Sequence, residues 1–401
     1  MIVAGVMSGT SADGINVALV EVDGSSFDTR FQLLAHHEHP YPLPVRRTVL
    51  AAMNAERASV ADLARLNFLL GELYASAVLA AEKKSGIKVE LVGCHGQTLY
   101  HQGEPALYLG KKVSATWQTG EGAIIAARVG APVVSDFRPA DMAAGGKGAP
   151  LVPFLDYLVY RDPRAGRIVQ NIGGIANLTA IPAGASPEQV TAFDTGPGNM
   201  VIDAVMERLY EKPYDRDGRV AAKGKPLEGV VKGLLQHSFF RRKPPKTAGR
   251  EEFGRQFVAD FLRRCRRARK EDIVATATAL TARSIAEAVR RFVAFPSGAQ
   301  AQVKAGPNGT AKAVPLHTFS DYVVSGGGAK NRTLMAMLRA ELEPLGLTLR
   351  HSDEFGVPST AKEALAFALL AYETWHHRPS NIPAATGARR AAILGKISYV
   401  S

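Results

Sequence analysis

The sequence is short of cysteine, of long apolar runs and of acidic residues, and each shortage carries information. Two cysteines in 401 residues, Cys94 and Cys265, make neither a disulfide framework nor a Cys-rich zinc site. No stretch approaches the ~18 to 20 uncharged apolar residues of a membrane span, and no basic segment precedes the apolar start Met-Ile-Val-Ala-Gly-Val. A soluble, cytoplasmic protein with no membrane partner is therefore expected. The phosphate loop G-x-x-x-x-G-K-S/T is missing, and no G-x-G-x-x-G opens a helix after a strand, which disfavours P-loop NTPases and Rossmann dehydrogenases. What is there is ordinary globular composition, 46% hydrophobic and 21% charged, outside the disordered, collagenous and coiled-coil ranges. At roughly 150 residues per domain the length points to two domains.

The shortage of acid, 37 Asp+Glu against 49 Lys+Arg, leaves a net charge of +12. Most of the excess is local, because residues 241–270 carry twelve basic and three acidic side chains. Phe257, Phe261 and Cys265, with Val258 and Leu262, form one apolar stripe there, so the arginines coat the outer faces of an amphipathic helix. No aromatics interleave with them as stacking platforms, and no nucleic-acid partner is expected. Just upstream, Lys243-Pro244-Pro245-Lys246 and Arg250 form a Pro-stiffened loop suited to meeting an anion.

Along the chain, the β-branched runs at 2–7 and 15–22 enclose the small-residue turn Ser8-Gly9-Thr10-Ser11-Ala12-Asp13-Gly14, a strand, turn, strand unit continued by residues 31–34. Helical spacing over about 45–84 and a short strand at 89–93 follow, then turn-rich sequence and a strand at 133–135. Near residue 150 the pattern restarts: the strand at 168–172 enters Gly173-Gly174 and returns at 175–181. Two such units, each heading half of the chain, indicate an internal duplication. Helices are predicted at 200–209, 253–270, 276–293, 334–342 and 362–376, with an aperiodic exposed loop at 296–315. The expected domains are 1–150, joined by the tail 377–401, and 151–376.

Three glycine turns follow three apolar strands: residues 5–14, Gly173-Gly174, and Gly326-Gly327-Gly328 with Asn331. Short side chains let backbone N–H groups approach a polyanion, and Asp13 could hold a metal-bound water near it; an ordinary tight hairpin has the same composition. Asp194, before the Gly196-Pro197-Gly198 turn and a helix start, can be a general base or a metal ligand, but taken alone it reads first as a turn former. His95, Gln97 and Arg138 lie at strand ends, where α/β folds build sites. Cys94 and His95, adjacent on a strand, point opposite ways and are no nucleophile pair; a buried structural cysteine fits better.

The stretches 5–14, 95–98 (His-Gly-Gln-Thr), 136–138 (Asp-Phe-Arg), 144–151, 171–177 (Asn-Ile-Gly-Gly-Ile-Ala-Asn), 193–199, 244–247, 326–328 with Asn331, and Glu363-Ala364 resemble, in order, the anhydro-N-acetylmuramic acid kinases, from residue 3 to about 395. The resemblance implies a two-domain actin-like ATPase of the sugar-kinase type, with ribonuclease H-like mixed sheets and an interdomain active-site cleft. It implies an ATP- and Mg²⁺-dependent enzyme of cell-wall recycling, a homodimer, that phosphorylates 1,6-anhydro-N-acetylmuramic acid and opens its anhydro bridge with water. By the motif match Asp194 is the base. Gly9, Thr10, Ser11, Ala12, Asp13, Gly14, Ile15, Asn16, Gly173 and Gly174 take the ATP phosphates, with Mg²⁺ near Asp13. Gly326, Gly327, Gly328 and Asn331 take the adenosine, and Glu363, His95, Gln97 and Arg138 the sugar. Glu121 and Lys147 stand where the family commonly has Asp and Gln, and are expected to bear on how the sugar or its lactyl carboxylate is held. Levoglucosan kinases share the implied fold and chemistry and are the alternative within the enzyme class; an actin/Hsp70-like nucleotide-dependent binding module is the alternative outside it.

Overall fold

In the computed structural model, which describes residues 1–9, 12–53, 55–294 and 319–400, the chain divides into two units, Met1–Val159 with Thr360–Ser401, and Tyr160–Ser359. Two expectations, the phosphate contacts of Thr10 and Ser11 and the loop at 296–315, lie outside the described residues.

In the first unit, β1 (Ile2–Ser8), β2 (Gly14–Asp23) and β3 (Arg30–Pro40) form an antiparallel meander. On the other side of β1 lies β4 (Leu91–Tyr108), parallel to it; β5 (Lys111–Thr119) folds back on β4, and β6 (Val133–Ser135) runs parallel to β4. The C-terminal strand Lys396–Ser398 closes that edge. The turn-rich sequence expected after residue 93 is thus a long hairpin. The helical stretch expected over 45–84 is two helices, Leu43–Ala52 and Val60–Ser85. The second starts afresh because Ser59 caps it, its side chain accepting from the Asp62 N–H at 3.3 Å, and it ends on Gly86 at φ 71°. By length and composition this helix could cross a membrane, but Leu66, Leu70, Tyr74, Val78 and Ala81 are buried in the unit's core.

One close approach positions the site. Gly5 on β1 and Gly93 on β4 are register partners, and their missing side chains leave a flat platform on which the helix Lys362–Trp375 lies. A Cβ at Gly5 would overlap the Ala364 carbonyl, and one at Gly93 the Phe367 carbonyl. The helix was expected in the second domain. It belongs to the first unit, as does most of the Pro153–Tyr160 helix, because glycine-to-backbone packing and a buried ion pair, Lys362 Nζ to Asp156 at 2.7 Å, tie both there. The expected boundaries at 150/151 and 376/377 move accordingly to 159/160 and 359/360.

In the second unit β7 (Gly166–Ile172), β8 (Ile175–Ile181) and β9 (Thr191–Pro197) repeat the antiparallel meander, while β10 (Phe319–Ser325) and β11 (Thr348–His351) extend it in parallel from β7. The spatial order β11-β10-β7-β8-β9 matches β6-β4-β1-β2-β3 of the first unit, which is the duplication anticipated from the two strand, turn, strand units. The chain is a mixed α/β protein with two sheets. The helix Lys270–Val289, nearly all buried, packs Ile285 and Ala282 against Phe193 and Ile168 of the sheet. A second cluster gathers Phe239, Phe253, Phe257 and Phe261. The basic helix spans Arg255–Arg264 rather than 253–270, interrupted at Gly254 and ending at buried Cys265; Asp260 pairs with both Arg263 and Arg264.

Candidate active site

The β1–β2 turn is held by a buried polar chain. The Ser8 hydroxyl donates to Gln97 Oε1 (2.7 Å), the Gln97 amide donates to the Gly9 carbonyl (3.2 Å), and Tyr41 donates to Ser8 (2.9 Å) while its hydroxyl also meets that of Tyr74 (3.0 Å). Burial pushes the Tyr41 phenol up to about 12, so the chain stays neutral. Ala12, at φ 48°, returns its N–H to the Gly9 carbonyl at 3.1 Å, and the exposed Asp13 sits at the tip, its carbonyl accepting from Tyr41 N–H at 3.2 Å. Three expectations change. Gln97, carried as a sugar ligand, is fully buried with both amide ends in use and positions the turn. Ile15 points into the core. The Asn16 side chain meets His36 Nε2 of β3 at 3.0 Å. Gly14 is pressed against the β3 backbone.

A second chain runs from the same strand to Glu363. Arg138 donates through Nε (3.1 Å) and Nη2 (2.8 Å) to His95 Nε2, which fixes His95 as the neutral tautomer whose Nδ1–H donates to the Gly96 carbonyl (2.7 Å). Burial, and then the Arg138 charge, hold this imidazole well below its usual pKa. His95 is buried against Phe367 with ring centroids 4.5 Å apart, and it orients Arg138. Arg138 Nη1 donates to the Gly148 carbonyl at 2.7 Å, and the Gly148 N–H donates to buried Asp141 at 2.8 Å. Asp141, which sequence reasoning passed over, also accepts from Asn381 and Thr386, each at 2.7 Å, and so fixes the 145–148 glycine loop. Glu363 opens the platform helix. Its carboxyl is raised by burial, pulled back by Lys362 and Arg138, and raised further by Asp13. Arg138 and Asp13 thus both act on Glu363 within one unit. Glu121 has no such place: it caps the helix Gly122–Val129 through Ala123 N–H (3.2 Å) and accepts from Asn67 (3.1 Å). Lys147 pairs with Glu104.

In the second unit Asp194 lies on β9 in register with Asn177 of β8, which is in register with Asn171 of β7. Facing residues of paired strands share a sheet face, so the three make a polar row. The Lys246–Ala248 segment adds to the β9 edge: Asp194 N–H donates to the Lys246 carbonyl (3.0 Å), and Ala248 N–H donates to Asp194 Oδ2 (2.7 Å). The sequence marks this loop as suited to meeting an anion. Its backbone also orients the carboxylate, and the Lys246 side chain is buried over the rings of Phe239 (4.6 Å), Phe292 (4.9 Å) and Phe193 (5.8 Å). No local motif could have paired residues some fifty positions apart.

The carbonyls of Gly173 and Gly174 are used within the fold: Gly173 accepts from Asn199 N–H (2.8 Å), and Gly174 from Gly198 (2.9 Å) and Met200 (3.1 Å). This turn therefore braces the segment after Asp194. Gly326, at φ 83°, and Gly328 press against Asn171 and Ile172, where a Cβ would collide; Gly327 is open apart from the Asn199 side chain. Asn331, carried as an adenosine ligand, is buried and caps the helix Arg332–Leu342 by accepting from Leu334 N–H at 2.9 Å. Burial pushes the Cys94 thiol up to about 12, which makes it an inert core residue. Among the described residues no three His, Cys, Asp or Glu side chains cluster to hold a metal. A lone exposed carboxylate at a glycine turn does fit Mg²⁺, which keeps waters and is bound chiefly by substrate phosphates.

The family profile described as anhydro-N-acetylmuramic acid kinase matches residues 1–306 and 309–400. The chain is 41% identical over 404 residues to the anhydro-N-acetylmuramic acid kinase of Bacillus cereus (strain AH187), covering all of both chains. It is 40% identical over 402 residues to that of Bacillus thuringiensis (strain Al Hakam), covering 100% of this chain and 98% of the relative. Among solved structures, the activator of the 2-hydroxyisocaproyl-CoA dehydratase from Clostridium difficile aligns with TM-score 0.44 and 12% identity over 94% of this chain and 96% of that one. A ROK hexokinase from Thermus thermophilus aligns with TM-score 0.38 and 15% identity over 94% and 100%.

Proposed function

The chain belongs to the anhydro-N-acetylmuramic acid kinase family, and from that premise we propose that it converts 1,6-anhydro-N-acetylmuramic acid, ATP and water to N-acetylmuramic acid 6-phosphate and ADP. The observation that carries the reading to a mechanism is Asp194, a carboxylate oriented from the loop by Ala248 N–H at 2.7 Å and flanked by Asn177.

The step balances as follows. Asp194 takes a proton from water as its oxygen bonds the anomeric carbon. The bond from that carbon to O6 breaks, O6 bonds the γ-phosphorus, and the bond from that phosphorus to the bridging oxygen breaks to release ADP. A base contributes about 10²- to 10⁴-fold to such a step, and the phosphoryl half rests on positioning and charge neutralisation. In this reading residues 9–13 carry the phosphates, Asp13 would hold Mg²⁺ there and the ion would supply charge neutralisation, Gly327 lies along the adenosine, and Arg138 with Glu363 holds the sugar. His95, Gln97 and Asp141 are positioning residues. A homodimeric state and a cytoplasmic location, where ATP is supplied, belong to the same reading.

The test is ADP release by the purified chain with MgATP, with and without the anhydro sugar. ADP release that depends on the sugar supports the proposal. Release at full rate without it points to a nucleotide-dependent binding module, and a strong preference for levoglucosan to the related anhydrosugar kinases.

A further inference from the structure

The Lys246 ammonium is an unusual group: buried, and without a carboxylate partner within 4.0 Å among the described residues. It has three protons to donate, and the bond found for it is a long one, 3.3 Å to the Phe239 carbonyl. Burial holds its pKa down at about 8, with Asp194 acting in the opposite sense. A buried ammonium with unused donors calls for an anion or for water.

Space for one is present. Lys246 lines a cavity of about 470 Å³, inside the roughly 300–1,000 Å³ range of small-molecule sites. The cavity takes Thr195 from β9 and lies against the helices Glu228–Leu234 and Lys270–Val289, with Lys232, Arg283 and Arg291 also in its wall. Glu228 and Glu287 are the acids of that wall, and both are spent on Arg283 and Arg291. Lys232 and Lys246 are left as the uncompensated charges. Phe193, beside Asp194 on the strand, packs in the core with the Lys270–Val289 helix, so Asp194 points to the opposite face of the sheet. The cavity is therefore distinct from the polar row that holds the base.

We propose that this cavity is a binding site for a small phosphate dianion, free or as a phosphate monoester, held between Lys246 and Lys232. The assignment does not rest on the kinase reading. Its links to the base are the Lys246 carbonyl and the Ala248 N–H, which fix Asp194, and the Asp194 charge, which acts on the Lys246 ammonium.

The experiment is calorimetric titration of the full chain in the presence of a saturating non-hydrolysable ATP analogue, which occupies the first unit's phosphate turn. The probes are inorganic phosphate and, separately, glucose 6-phosphate; the tighter binder identifies free phosphate or a monoester as the source. The expected result is one saturable site, weakened about tenfold or more by Lys246→Met, less by Lys232→Ala, and least by Asp194→Asn. Lys232 is an exposed helix residue, so Lys232→Ala keeps the test valid if Lys246→Met fails to fold. Absence of saturable binding in the wild-type chain overturns the proposal. So does binding that Lys232→Ala leaves unchanged, or binding that Asp194→Asn abolishes.

Discussion

The β1–β2 and β7–β8 turns stand at the same place in two copies of one topology, and they spend their backbones differently. In the first unit the turn is gripped from behind, by Gln97 on the Gly9 carbonyl and Ser8 on Gln97, and Asp13 is left exposed at its tip. In the second the glycine carbonyls face inward and accept three N–H groups from residues 198–200, so the turn becomes a brace for the strand that carries Asp194. The difference teaches how a duplicated hairpin diverges. Moving the hydrogen-bond partners, with the strand order unchanged, converts a turn with an exposed tip into a support.

That contrast can be broken at four points, taken from the largest expected effect. Asp194→Asn removes the proposed base that the second turn supports while keeping its shape, and kcat is expected to fall about 10²- to 10⁴-fold with ATP affinity unchanged in equilibrium titration; equal loss of both would mean that Asp194 serves nucleotide binding. Gly93→Val puts a side chain where the Phe367 carbonyl lies, lifting the platform helix and Glu363 with it. Overpacking of this kind costs about 1–3 kcal/mol, to be read as a lower denaturant midpoint, with sugar KM rising more than ATP KM. Gln97→Leu leaves the Gly9 carbonyl and Ser8 hydroxyl without their buried partner, and ATP KM is expected to rise about tenfold, ~1.4 kcal/mol, within the range for one unmade buried hydrogen bond. The matching change in the second unit, Asn199→Ala, leaves the turn's main-chain bonds intact and should shift ATP KM far less.

A separate effect is one of pH. The Lys246 ammonium titrates near 8 in the fold against 10.5 in the open chain, so between those values the unfolded chain binds the extra proton. Stability is therefore expected to rise with pH across that window and to carry its full penalty below it. Thermal melting across the window should show the rise in the wild type and lose it in Lys246→Met.

Much of this was legible in the residues. Alternating β-branched runs around small-residue turns gave both hairpins and the duplication, and Asp194 stood out before a Gly-Pro-Gly turn. Contacts across long sequence separations were not legible. Nothing local says that Gly5 and Gly93 are neighbours, or that a helix some 270 residues further on lies across them, and so that helix was expected in the wrong domain. His95, Gln97 and Asn331 have the look of ligands because polar residues at strand ends and helix starts usually face solvent. Only their partners, Arg138, Gly9 and Leu334 N–H, reveal that they are spent on the scaffold. Lys246 misled in the opposite direction, since a cation in a proline-rich loop reads as exposed until three phenylalanine rings are found around it.

The central claim is that Asp194 activates water while the anhydro oxygen takes the phosphoryl group, and incubation with MgATP and 1,6-anhydro-N-acetylmuramic acid in ¹⁸O-water tests it most directly. Mass spectrometry of the first product is expected to find one ¹⁸O at the anomeric oxygen and the phosphate on an unlabelled O6. A phosphorylated sugar with its anhydro bridge intact, or one free of label, would contradict the account.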